Sequence, residues 1–136
     1  MSYALTATLD RPFGAAVDQV RTALAEQGFG VLTEIDLQAT LRAKLGVEVP
    51  QHVILGACNP PLAHAALQSE PSIGLLLPCN VVVRSAADGT TIVEAVDPQT
   101  MVALSGNAAL QVVADEASRR LTAALCALTD RSAKEQ

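Results

Sequence analysis

Two cysteines fall in neighbouring motifs, Gly56-Ala57-Cys58-Asn59-Pro60-Pro61-Leu62-Ala63-His64 and Leu77-Pro78-Cys79-Asn80. Cys58 stands where an apolar run ends and a helix is expected to begin, and the positive end of a helix favours a thiolate. His64 lies about one turn into that helix, and Cys79 opens the next apolar run. Two thiolates and an imidazole suit a soft metal such as zinc or copper(I). Two thiols alone suit reversible disulfide chemistry. Asn59 and Asn80, each following a cysteine, are the polar candidates beside them. The plainer reading makes both cysteines small buried hydrophobes with no cofactor. No CxxC or CxH pair supports a metal set, and the 20 residues between Cys58 and Cys79 match no strong ligand spacing.

A charged pair forms a second candidate. The runs Asn80-Val81-Val82-Val83-Arg84 and Thr91-Ile92-Val93-Glu94-Ala95-Val96 flank Ala86-Ala87-Asp88-Gly89, which signals a hairpin. A three-residue loop with Gly89 left-handed sets Ala86 opposite Thr90, Arg84 opposite Ile92 and Val82 opposite Glu94. Arg84 and Glu94 then become diagonal neighbours on one face. Cys79, Val81, Val83, Val93 and Ala95 share the other face, so Cys79 is expected in the core. A cross-strand ion pair is the simplest role for Arg84 and Glu94; a polar pocket serving a small enzyme is the alternative. No phosphate-binding loop, Ser-His-Asp elbow or two-histidine zinc motif accompanies them. His52, at a strand start, reads as structural.

The elements that position these groups follow from periodicity. Tyr3, Leu5, Ala7 and Leu9 alternate as a strand. A helix follows, with Asp10 as its expected cap and Pro12 in its first turn, carrying Phe13, Val17, Val20 and Leu24 and ending at Gly28. Phe29 to Asp36 alternates again, with Phe29, Val31 and Ile35 assigned to one face. Asp36 caps a short helix bearing Leu37, Leu41 and Leu45, closed by Gly46. His52 to Ala57 reads as a strand buried on both faces. Asn59 caps a helix with prolines in its first turn, ending before Pro71. A last helix is expected from about Asn107 to Thr129, capped by Ser105 or Asn107. Its buried stripe is Leu110, Val113, Ala117, Leu121, Ala124, Leu125 and Leu128, with Cys126 nearly opposite. The order is β-α-β-α-β-α-β-β-α: an α+β fold, one mainly antiparallel or mixed sheet with helices packed on it.

Composition bounds the rest. The 136 residues suit one domain, 1–130, with a polar tail over 131–136. A chain that is 50% hydrophobic and 17% charged is not disordered. A net charge of −5 argues against a nucleic-acid partner. The longest apolar stretch, Ile73 to Val83, is interrupted by Gly74, Pro78 and Asn80, so no membrane insertion is expected. An odd cysteine count and the lack of a signal-like start suggest the cytoplasm. With one tyrosine, two phenylalanines and no tryptophan, a small ligand would meet mainly aliphatic walls.

The segments Ile54-Leu55-Gly56-Ala57-Cys58-Asn59-Pro60 and Leu76-Leu77-Pro78-Cys79-Asn80-Val81-Val82-Val83 resemble the domain-of-unknown-function 302 family of bacteria and archaea. Gly28-Phe29 and Asp88-Gly89 support the resemblance, which runs from about Tyr3 to Leu128. It implies an α+β domain that commonly forms a dimer, and no established reaction or catalytic residue. Three functions are thus open: a binding or sulfur- and redox-handling protein using Cys58 and Cys79; a non-catalytic dimeric interaction module; and a small enzyme at an Arg84/Glu94 pocket. The homodimer is also expected from apolar content beyond what so small a core can hold, whether the further partner is a small ligand or a protein.

Overall fold

The computed structural model describes residues 2–134, with side chains as far as Thr129. The elements are β1 (Ala4–Leu9), α1 (Phe13–Glu26), β2 (Gly30–Asp36), α2 (Leu37–Leu45), β3 (His52–Cys58), α3 (Pro60–Ser69), β4 (Cys79–Ser85), β5 (Thr91–Val96), α4 (Gln99–Ser105) and α5 (Gln111–Lys134). Two 3-10 turns, Pro71–Leu76 and Ala108–Leu110, join α3 to β4 and lead into α5. The five strands form one antiparallel sheet in the order β1-β5-β4-β3-β2. This is the expected α+β class.

Local sequence explains most of the ends. At the close of α1, the Phe29 N–H bonds the Leu24 carbonyl (2.9 Å) and the Gly28 N–H bonds that of Ala25 (3.0 Å). That pattern needs a left-handed residue, and Gly28 supplies it at φ +84°. Asp36 caps α2 by accepting from the Ala39 N–H (2.9 Å). The hairpin has the predicted register: Val82 faces Glu94, Arg84 faces Ile92, and the Ala86 N–H bonds the Thr90 carbonyl.

One sheet face packs on α1 and α5. Leu9, Leu55, Val81, Val83 and Val93 meet Val20, Leu24, Leu121 and Leu128 there, all buried. A smaller core, formed by Ala66, Ile73, Met101, Leu110, Val113 and Ala114, ties α3, the first 3-10 turn and α4 to the start of α5. Helix α5 therefore spans both cores.

Five local expectations are corrected. Asp10 does not cap α1; Pro12 occupies the cap position, without a side-chain bond. A β-bulge between Val31 and Thr33 reverses the alternation of β2. Ile35 therefore leaves the face of Phe29 and Val31, while Glu34 turns to meet Arg21 of α1. Only one face of β3 is fully buried, with Val53, Leu55 and Ala57 under the helices; on the other, Gly56 is buried but His52 and Ile54 are half-buried. Helix α4 was not anticipated, because seven residues carry too short a stripe to show a period. The final helix begins later, at Gln111, and runs through Lys134. Much of the expected tail is thus helical, while Glu135 and Gln136 lie outside the described residues.

Candidate functional site

The two cysteine motifs converge at the seam between the cores. β3 ends at Cys58, and Asn59 follows as the cap of α3: its Oδ1 accepts from the Leu62 N–H (3.2 Å), and its carbonyl from the Ala63 N–H (2.9 Å). Asn59 is itself buried, packed under the α1–β2 turn. A Cβ on Gly28 would lie 3.0 Å from Asn59 Nδ2 and 3.0 Å from Arg120 Nη1. Arg120 closes this corner by donating Nη1 to the Gln27 carbonyl (3.0 Å) and Nε to Glu116 (2.8 Å).

Cys79 opens β4 opposite Ala57, so Cys58 is next in chain to the cross-strand partner of Cys79. Both cysteines line one cavity of about 30 Å³, which Phe29 borders from the larger core and Met101 and Val113 from the smaller. That volume is enough for a water molecule, in a lining that is almost wholly apolar. Cys58 is half-buried and Cys79 buried. Burial, and then the neighbouring Cys58, push the Cys79 thiol up to about 11. At neutral pH it is a thiol, not a thiolate.

Other expected members are placed elsewhere. His64 is exposed on α3, about 200° around the helix from Leu62, which faces the cavity. Among the described residues, no three His, Cys, Asp or Glu side chains group to hold a metal ion, so the set Cys58, Cys79 and His64 expected for zinc or copper(I) is not assembled. Asn80 is exposed on the open sheet face, opposite Gly56. The expected helix-end activation of Cys58 also lacks donors. Pro60 and Pro61 have no N–H, and those of Leu62 and Ala63 are both taken by Asn59. Cys126 is exposed on α5, as expected.

Arg84 and Glu94 form the expected diagonal pair on the open face, Nε to Oε1, 3.0 Å. His52 stands directly opposite Arg84 across β3 and β4. Sequence reasoning missed this neighbour, because the register between β3 and β4 spans a helix and a 3-10 turn and leaves no local signal.

A single antiparallel sheet helix-covered on one face, with two cysteine motifs meeting at the edge of that cover, defines a small α+β domain with a thiol-lined seam. The chain belongs to the family described as domain of unknown function DUF302, whose profile matches residues 5–128. It is similar to the crystal structure of an uncharacterized conserved DUF302 protein from Bacillus stearothermophilus, with 28% identity and a TM-score of 0.87. The match covers 94% of this chain and 99% of the other. No curated protein matches significantly. No helix among the described residues is long and apolar enough to cross a membrane.

Proposed function

We propose that this is a small cytoplasmic binding protein in which Cys58 and Cys79 act as a slow dithiol–disulfide latch on the cavity between the two cores. The observation that supports the reading is that two thiols from adjacent strands line one cavity. Their unequal exposure assigns the roles. Cys58, the more accessible, attacks a small aliphatic disulfide as its thiolate, forms a mixed disulfide and releases one thiolate. Cys79 then loses its proton to solvent and attacks the Cys58 sulfur, expelling the second thiolate. The two protein thiols are oxidised by two electrons, and the small disulfide is reduced to two thiols. Because Cys79 resists ionisation, the second step is slow, and Cys79 is a poor leaving group in the reverse direction. A reducing compartment keeps the latch open by default.

The test is native protein treated with hydroxyethyl disulfide and followed by intact mass. The expected product holds a Cys58–Cys79 disulfide, which makes that pair two hydrogens lighter than the dithiol, beside a mixed disulfide on the exposed Cys126. Cys79→Ser should stop at the mixed disulfide on Cys58. Wild-type protein that also stops there, or that does not react, would remove the latch.

A second reading, the dimeric interaction module, is favoured by one surface. Leu75 and Leu104 are 87% and 72% exposed beside a cleft of about 270 Å³ that Leu76 also lines. Aliphatic side chains grouped in this way are a common mark of a protein contact, and a homodimer would cover them.

A further inference from the structure

On the open face of the sheet, at the end where β3 and β4 meet α2, lies a cleft of about 290 Å³. Leu37 and Leu41 of α2, with Val49 from the loop after it, make one apolar wall. His52 and Arg84 make the opposite, polar side, adjacent to each other as cross-strand partners. Arg84 uses only Nε on Glu94, so among the described residues the two terminal nitrogens of its guanidinium make no hydrogen bond. The His52 ring likewise makes none among the described residues. Glu94 does not line the cleft; it holds Arg84 from the side and sets the direction of the fork. A guanidinium edge that is oriented but unmatched, facing aliphatic walls, is complementary to one planar anion on a short apolar chain.

We propose that this cleft binds a short-chain aliphatic monocarboxylate. The carboxylate lies across the terminal nitrogens of Arg84, with the His52 ring as a second donor or neighbour, and the chain lies along Leu37, Leu41 and Val49. The single guanidinium edge in this cleft, in a chain of net charge −5, matches a single negative charge better than a polyanion. The volume is at the small end of ligand pockets, about 300 Å³ and upward, which limits the chain to a short one. None of these residues lines the thiol cavity, so this site and the latch stand or fall separately.

Hexanoate titrated into the full chain, followed by amide chemical shifts and calorimetry, tests the site. Saturable binding is expected, with shifts centred on 37–41, 49–52 and 84–85. Hexanamide, isosteric but neutral, should bind at least tenfold more weakly, as should Arg84→Lys, which keeps the charge but loses the planar fork. Inorganic phosphate, lacking a chain, should also bind at least tenfold more weakly. Leu41→Ala, which leaves the polar side intact, should weaken hexanoate and leave phosphate unchanged. The proposal is overturned if hexanoate does not saturate, if hexanamide or phosphate binds as well, or if folded Arg84→Lys binds hexanoate like the wild type. Unchanged hexanoate affinity in Leu41→Ala would overturn it too.

Discussion

Thr33 of β2 stands opposite Gly56 of β3, and the Thr33 hydroxyl occupies the space that a side chain at position 56 would need. The ring of Pro78 closes the same space from the β4 side, with its Cγ only 2.8 Å from where a Cβ would stand. The glycine of the first cysteine motif is thus required by crowding. Gly56→Ala should destabilise the fold by about 1–3 kcal/mol in denaturant unfolding. Thr33→Ala in the same chain should restore part of that loss, because it removes one of the two obstacles. Additive effects of the two substitutions would show that Thr33 is not the obstacle.

Two asparagine and aspartate caps provide an internal comparison. Asn59 is buried and Asp36 exposed, yet each accepts one backbone N–H at the start of its helix. Asn59→Ala should cost about 1–2 kcal/mol and Asp36→Ala nearer 0.5–1 kcal/mol, both measured by urea unfolding. Asn59→Ala should also speed alkylation of Cys58, since the cap anchors the residue beside it. Equal costs with unchanged alkylation would make Asn59 an ordinary cap.

The raised Cys79 thiol couples stability to alkaline pH. The folded value of about 11 lies above the ordinary 9.0, so between the two the folded state binds more protons than the unfolded. Stability is therefore complete below about pH 9 and falls as pH rises through about 11, by an amount on the order of 2 kcal/mol. Cys79→Ala should flatten that part of the curve. The closing step of the latch should meanwhile accelerate about tenfold per pH unit between pH 7 and 10, because the Cys79 thiolate fraction grows at that rate. A closing rate independent of pH would assign the slow step to something other than Cys79 ionisation.

Association through the exposed leucines predicts a concentration-dependent dimer. Analytical ultracentrifugation should show the wild type dimeric at micromolar concentration and Leu104→Asp monomeric and still folded, since Leu104 is mostly exposed on the protomer. A wild type that stays monomeric would remove the interface.

Legibility in the sequence tracked how local each determinant is. The β4–β5 register was readable because Asp88-Gly89 dictates the loop, and the loop dictates which residues face each other, down to the Arg84–Glu94 pair. The caps Asp36 and Asn59 and the stop at Gly28 were readable for the same reason. The bulge at Val31/Thr33 was not: apolar residues on both sides of it preserve an apparent alternation, and only pairing with β3 reveals that Ile35 has changed face. The approach of Cys58 to Cys79 depends on the β3–β4 register, and the turning away of His64 depends on which side of α3 is buried. Both are settled by tertiary packing. The proline pair that identified the start of α3 also removes the donors expected to activate Cys58, a consequence carried by the same residues but visible only once the bonds are counted.

Because α5, alone among the described elements, runs through both cores, the molecule has two parts of unequal size. The six buried residues of the smaller core hold α3 and α4 in place, while the sheet rests on the larger. Small units of this kind open more often than the whole domain unfolds. Amide protons of α3 and α4 should accordingly exchange with deuterium faster than those of β4 and β5. Since Met101 and Val113 of the smaller core border the thiol cavity, labelling of Cys79 by a bulky reagent should then run no faster than that exchange.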